Sequence, residues 1–121
     1  LSSMTPTIVL KKGKPIYATG SPGGSRIITT VLQFLLNTLV FKMEISDATV
    51  VPRIHHQWKP DGIDFEHHGM TTDVMNNLLQ KGQFIGKERM LGRAEGIIID
   101  YKNNIIWGAS DPRGYGKAVG Y

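Results

Sequence analysis

Two adjacent glycines, Gly23 and Gly24, stand in the segment Thr19-Gly20-Ser21-Pro22-Gly23-Gly24-Ser25-Arg26, directly ahead of a long apolar run. Glycine at a helix start leaves backbone N–H groups with no Cβ beside them. An anion or a developing oxyanion can then come within hydrogen-bonding distance of the main chain. The positive end of the helix dipole favours negative charge at the same place by about 0.3–1 kcal/mol. The same pair also serves a tight turn from strand to helix, which is the commoner use of glycine. On its own the pair supplies half of an active site, a place for charge without a nucleophile.

The other chemically capable residues are less specific. Ser2 and Ser3 offer two hydroxyl donors suited to a carboxylate, set against the fraying ordinary at a chain terminus. His55-His56 and His67-His68 are adjacent pairs, and neighbours on a strand point to opposite faces, so neither pair chelates an ion by itself. A metal site would combine one histidine of each pair with Asp64 or Glu66, a spacing unlike zinc signatures, so structural or surface roles are expected. Asp111-Pro112-Arg113 reads as a turn with a structural Asp–Arg pair, and Arg53 after Pro52 is read the same way. Trp58 and Trp107 are expected in the core or at an interface. Ser25 follows the glycines but lacks the Gly-x-Ser-x-Gly elbow of a hydrolase, and no Ser/His/Asp set or paired carboxylates can be assigned.

These residues need a scaffold, and composition allows one. The 121 residues, 40% apolar and 20% charged, suit one globular domain or a piece of one. A chain of this size buries a core without staples. With no cysteine, disulfides, thiolate metal sites and a cysteine nucleophile are excluded. The net charge of +4 comes from scattered residues, with Lys11, Lys12 and Lys14 the only cluster, so a nucleic-acid face is not expected. Residues 27–41 are too short and too polar for a membrane span. The chain opens Leu1-Ser2-Ser3-Met4, without an initiator methionine or a signal pattern, and we expect an internal stretch of a longer protein.

The periodicities place the motifs on elements. Residues 7–10 and 16–19 flank Lys11-Lys12-Gly13-Lys14-Pro15 as a hairpin, and residues 96–100 and 105–108 form a second. Ser25 is the expected N-cap of a helix over residues 25–38, apolar around more than one stripe and therefore expected to be buried between layers. A short helix opens at Ser46-Asp47 and ends at Pro52. Residues 53–60 read as irregular, 63–66 as a strand and 83–85 as a short strand. Thr71 or Thr72 caps a third helix that Gly82 closes. The glycine-rich stretch 109–121 is expected to be irregular. Two hairpins and three helices without strict alternation predict an α+β fold with a largely antiparallel sheet.

Taken together, Leu1-Ser2-Ser3-Met4-Thr5-Pro6-Thr7-Ile8-Val9, residues 19–28, Pro52-Arg53-Ile54-His55-His56-Gln57-Trp58 and Gly108-Ala109-Ser110-Asp111-Pro112-Arg113 closely resemble γ-glutamyltranspeptidase, in order and with compatible spacing. The resemblance implies that residues 1–121 are a single-domain fragment, the C-terminal portion of that family's small subunit. It implies part of an N-terminal-nucleophile (Ntn) hydrolase αββα sandwich, cut with a large subunit from one autoprocessed precursor. A freed threonine would attack the γ-carbonyl of glutathione or another γ-glutamyl compound, its own α-amino group acting as base. Water, an amino acid or a peptide then takes the acyl group, and no metal or organic cofactor is implied.

Two pairs of residues carry over. Ser2 and Ser3 match the serines that hold the α-carboxylate of the γ-glutamyl group, and Gly23 and Gly24 match the glycines of the oxyanion hole. The family's Thr-Thr-His nucleophile segment has no counterpart here: Thr29-Thr30 lies in a helix and Thr71-Thr72 is followed by Asp73. This chain alone is therefore expected to be inactive. Its expected partners are the large subunit, the upstream part of the small subunit and a γ-glutamyl substrate, with self-association through apolar surface left bare. An extracytoplasmic location is implied by resemblance only. Gly92-Arg93-Ala94-Glu95-Gly96 departs from the Gly-Ser/Thr-rich segment of many members and puts the packing of this loop in question. The rival readings are a relative acting on poly-γ-glutamate or a β-lactam side chain, and a non-catalytic interaction module of the same fold.

Overall fold

The computed structural model describes residues 4–120, so Ser2 and Ser3 lie outside the described residues. Strands β1 (Thr7–Lys11), β2 (Lys14–Gly20), β6 (Glu95–Asp100) and β7 (Ile105–Ala109) form one antiparallel sheet in the order β1-β2-β6-β7. Both expected hairpins are present. Lys12 and Gly13 turn the first with positive φ, and the Asp100 carboxylate accepts from the Lys102 and Asn103 N–H groups in the second. A smaller sheet joins β3 (Ile54–His55), β4 (Ile63–Phe65) and β5 (Ile85–Glu88), antiparallel between β3 and β4 and parallel between β4 and β5.

Three helices join them: α1 (Ile27–Leu35), continued by a π-helical turn over Leu36–Val40, α2 (Ile45–Val50) and α3 (Thr72–Gln80). Helices α1 and α2 cover one face of the large sheet. Phe34, Ile45, Ala48 and Ala94 form the core there, with Met43, Ile98 and Ala109 against them. Gly96 on β6 is what lets the sheet approach: a Cβ at that position would fall directly onto Phe34 Cζ.

Five expectations change. Ser25 is not an N-cap, because the chain already winds a 3-10 turn over Gly24–Arg26, with Arg26 N–H donating to the Gly23 carbonyl at 3.2 Å. Helix α1 is buried on one side only: Ile27, Val31 and Phe34 are inside, whereas Ile28, Leu32, Leu36 and Val40 face solvent. Residues 54–55, read as irregular, pair with β4. The strand expected at 83–85 starts later, because Gln83 N–H is spent on the Leu78 carbonyl and Gly82 N–H on Leu79, a Schellman closure of α3. Trp58 is exposed and Trp107 half-exposed, so neither is a core residue.

Four charged side chains from three distant stretches of the sequence tie these layers together. Arg53, 2% exposed, meets Asp111 Oδ2 at 2.7 Å and donates to the carbonyls of Thr49 and Leu91. Arg113 reaches Glu66 Oε2 at 2.6 Å and Asp111 Oδ1 at 3.0 Å, and donates to the Thr49, Val50 and Val51 carbonyls. Two guanidiniums thus satisfy the orphan carbonyls at the C-terminal end of α2, where the helix dipole favours positive charge. Glu66 also accepts from the N–H groups of Arg53 and Leu91, and Asp111 from those of Ala94 and Arg113.

Burial acts to raise the Asp111 pKa, but the N–H groups of Arg113 and Ala94 and the two guanidiniums outweigh it and hold the carboxyl below its ordinary range. Arg53 is lowered by burial and by its neighbour Arg113, against the pull of Asp111; Arg113 is raised despite burial by Glu66 and Asp111. Because the folded-state value of Asp111 is depressed, its stabilisation is complete above the ordinary carboxylate value of about 3.9 and is lost as pH falls through the folded value. Asp111→Asn leaves two buried cations with one anion and is expected to destabilise by about 3–5 kcal/mol in urea titration at neutral pH. Thermal melts at falling pH should show a shallower acid loss in the variant than in the parent.

Candidate functional site

The turn from β2 into α1 carries the site. After Gly20 the chain leaves the sheet at Ser21-Pro22, and Gly23 (φ 143°) and Gly24 (φ 59°) occupy backbone conformations that L side chains rarely adopt. Both glycines are exposed, and a Cβ on Gly24 would meet nothing within 4 Å. Glycine is required here by conformation and not by crowding.

Two walls hold the turn. Loop residues 91–94 form the first. Gly92 (φ 67°) lies so close that a Cβ on Gly23 would sit 3.5 Å from Gly92 Cα, and Arg93 N–H donates to Ser21 Oγ at 3.0 Å. A Cβ on Gly92 would come within 2.5 Å of Thr30 Oγ1 and 2.9 Å of Ser21 Oγ. The segment that departs from the family pattern is therefore closely packed, with Ala94 fully buried. Segment 54–57 forms the second wall, through a bond from Ser25 Oγ to Gln57 Oε1 at 2.6 Å.

Arg26 follows on the same turn and points to Asp64 on β4 at 3.8 Å, where Arg89 also arrives at 3.3 Å. The histidines divide by surroundings. His55 is buried between Thr29 and Gln57, His56 pairs with Asp61 at 3.0 Å, and His67 pairs with Glu88 at 2.8 Å. Among the described residues no group of three or more His, Asp or Glu side chains is placed to hold a metal ion. The structure thus brings Gly23 and Gly24 together with Gln57 and Gly92, two residues that the sequence reading did not single out for the site. A glycine between leucine and arginine gives no signal by type, and Gln57 stands in the sequence only as one member of a motif.

Comparison with known proteins places these features in a family. The γ-glutamyltranspeptidase profile matches residues 1–121. A glutathione hydrolase proenzyme of Escherichia coli is 46% identical over 113 residues, which cover 93% of this chain and 19% of that protein. The Helicobacter pylori γ-glutamyltranspeptidase T380A mutant superposes with a TM-score of 0.87 at 46% identity, over 94% of this chain and 62% of that chain. The Pseudomonas nitroreducens γ-glutamyltranspeptidase complexed with L-DON gives 0.89 at 33% identity, over 100% and 63%. The chain spans about a fifth of the length of the curated relatives it matches. The helix-on-sheet arrangement is that of the Ntn-hydrolase αββα sandwich. Gly92→Ala adds a methyl where none fits and a strained φ, and is expected to lower stability by about 1–3 kcal/mol, read as a fall in melting temperature.

Proposed function

The chain belongs to the γ-glutamyltranspeptidase family, and from that premise we propose that residues 1–121 form the C-terminal portion of the small subunit of a γ-glutamyltransferase and glutathione hydrolase. The single observation that carries this reading is the pair of exposed, positive-φ glycines at a helix start, held from both sides. In the intact protein an upstream threonine hydroxyl attacks the γ-carbonyl carbon of a γ-glutamyl amide, and its α-amino group takes the proton.

Negative charge then gathers on the former carbonyl oxygen. The Gly23 and Gly24 N–H groups receive it, in a place with no side chain to obstruct approach. Collapse expels the amine, which leaves with the proton, and an acyl-threonine remains. Water, an amino acid or a peptide repeats the addition from the other direction. Ser2 and Ser3 donate to the α-carboxylate of the γ-glutamyl group, a role suited to two hydroxyls at adjacent positions.

Partners follow from the surfaces left bare. On the sheet face away from α1, Ile8, Ala18, Ile97 and Gly108 stand in one row across the four strands. Ile8 is 66% exposed and Ile106, beside that row, 70%. A broad groove of about 1080 Å³ lies over this face. A second sheet of the sandwich, from the upstream small-subunit segment and the large subunit of the same precursor, covers it in this reading. The proposed location is extracytoplasmic, by family resemblance.

Two measurements test the proposal. Gly23→Ala in the complete gene product is expected to lower kcat for γ-glutamyl-p-nitroanilide about 10²–10³-fold with little change in KM, because the donors act on the transition state. Residues 1–121 alone are expected to give no turnover and to self-associate in sedimentation as concentration rises; turnover by that chain contradicts the assignment of the nucleophile to an upstream segment.

A further inference from the structure

Ser25, Thr29 and Gln33 recur at every fourth position, so they line one stripe of the helix that begins at the glycine turn. Each bonds a different residue of segment 54–57. Gln33 pairs with both main-chain groups of Ile54, Nε2 donating to the carbonyl at 2.7 Å and Oε1 accepting from the N–H at 2.9 Å. Thr29 Oγ1 lies 2.7 Å from His55 Nδ1, and Ser25 Oγ donates to Gln57 Oε1 at 2.6 Å.

The far side of this ladder is itself cross-linked. His55 Nε2 is 2.9 Å from Gln57 Oε1, and Gln57 Nε2 donates to the Lys59 carbonyl at 2.9 Å. The Lys59 contact fixes the amide orientation, so Oε1 is an acceptor only and His55 must carry a proton on Nε2 to reach it. The Thr29 hydroxyl has one proton and two acceptors within reach, His55 Nδ1 at 2.7 Å and the Arg26 carbonyl at 3.1 Å, and it donates to one of them at a time. From Ser25 through Gln57 to Lys59 every donor has an acceptor.

We infer that this ladder, with Gln57 as its terminal rung, is a positioning device for the Gly23 and Gly24 amides. The inference rests on the oxyanion reading given above. Backbone donors have no rotamer to adjust, so their aim is set by where the neighbouring residues are held. Ser25 is the residue directly after Gly24, and two successive glycines allow the turn wide freedom unless that next residue is anchored. Gln57 supplies the anchor, and His55 and Lys59 hold Gln57. Gln57 and Ser25 are positioning residues, since neither is placed on the reacting atoms.

The test uses the complete gene product and γ-glutamyl-p-nitroanilide. Ser25→Ala removes one exposed hydroxyl and no backbone contact, and Gln57→Ala removes its acceptor. Each is expected to lower kcat about tenfold or more with KM within about twofold. The double variant should be no slower than the slower single variant, because the two act as one unit. Ser25→Thr keeps a hydroxyl and should recover most of the lost rate. Should Gln57→Ala fail to fold, Ser25→Ala and Ser25→Thr decide alone. A kcat for Ser25→Ala within about twofold of the parent, or additive losses in the double variant, overturns the inference. If Gly23→Ala abolishes turnover while Ser25→Ala does not, only the ladder's role fails; if Gly23→Ala also turns over normally, the oxyanion reading fails first.

Discussion

Two arginines and two carboxylates buried in one place are the constraint on which the rest of this structure depends. Arg53, Glu66, Asp111 and Arg113 form a neutral set in which each charge meets an opposite one and the remaining donors end on carbonyls. Such a cluster is a weak source of net stability, because desolvation offsets most of the attraction. What it provides is specificity. Arg53 just before β3, Glu66 after β4, Leu91 and Ala94 in a loop, and Asp111 beyond β7 satisfy one another only when all are docked at the end of α2. A misplaced segment leaves a buried charge unpaired, which is far more costly than the net gain from the docked cluster.

That constraint reaches the glycine turn through two short paths. Leu91 gives its N–H to Glu66 and its carbonyl to Arg53, so the loop carrying Gly92 is fixed one residue before it touches Gly23. Arg53 is also covalently next to Ile54, the first residue of the segment that holds Gln33, Thr29 and Ser25. Both walls of the turn therefore start at the same arginine. On the proposed reading these exposed positive-φ glycines supply main-chain donors, which have no side chain to support their aim, and their surroundings are over-determined from the protein interior.

Local chemistry explains which parts were legible in the sequence. The two hairpins announce themselves by apolar runs around Lys12-Gly13 and Lys102-Asn103, and Gly82 after Lys81 marks the end of α3. The glycine pair was visible as a helix start for the same reason: the requirement is local to the residues that show it. The charged cluster was visible only in part. Asp111 and Arg113 could be paired across a turn, but Arg53 and Asp111 are 58 residues apart, and Glu66 stood out only as a strand residue and a weak metal-ligand candidate. No periodicity encodes such a contact. Ser25 misled because its type suits an N-cap, while the actual turn was already closed by Gly23 and the hydroxyl found Gln57 instead.

Helix α1 shows how these levels combine, since it carries three stripes of different chemistry. Ile27, Val31 and Phe34 face the sheet, Ser25, Thr29 and Gln33 face segment 54–57, and Ile28, Leu32, Leu36 and Val40 face outward at 39–60% exposure. The first two stripes fix the helix in two directions and leave rotation and sliding along the third less restrained. A regular apolar stripe of four residues is a surface that gains from being covered, at roughly 25 cal/mol per Å² removed from water. On the proposed reading the covering comes from another part of the assembled protein. Assembly then does more than bury area: it immobilises, from the remaining side, the helix whose first turn holds the two glycines. On that reading completion of the oxyanion site and completion of the fold become one event, which is physically sensible where the nucleophile comes from an upstream segment.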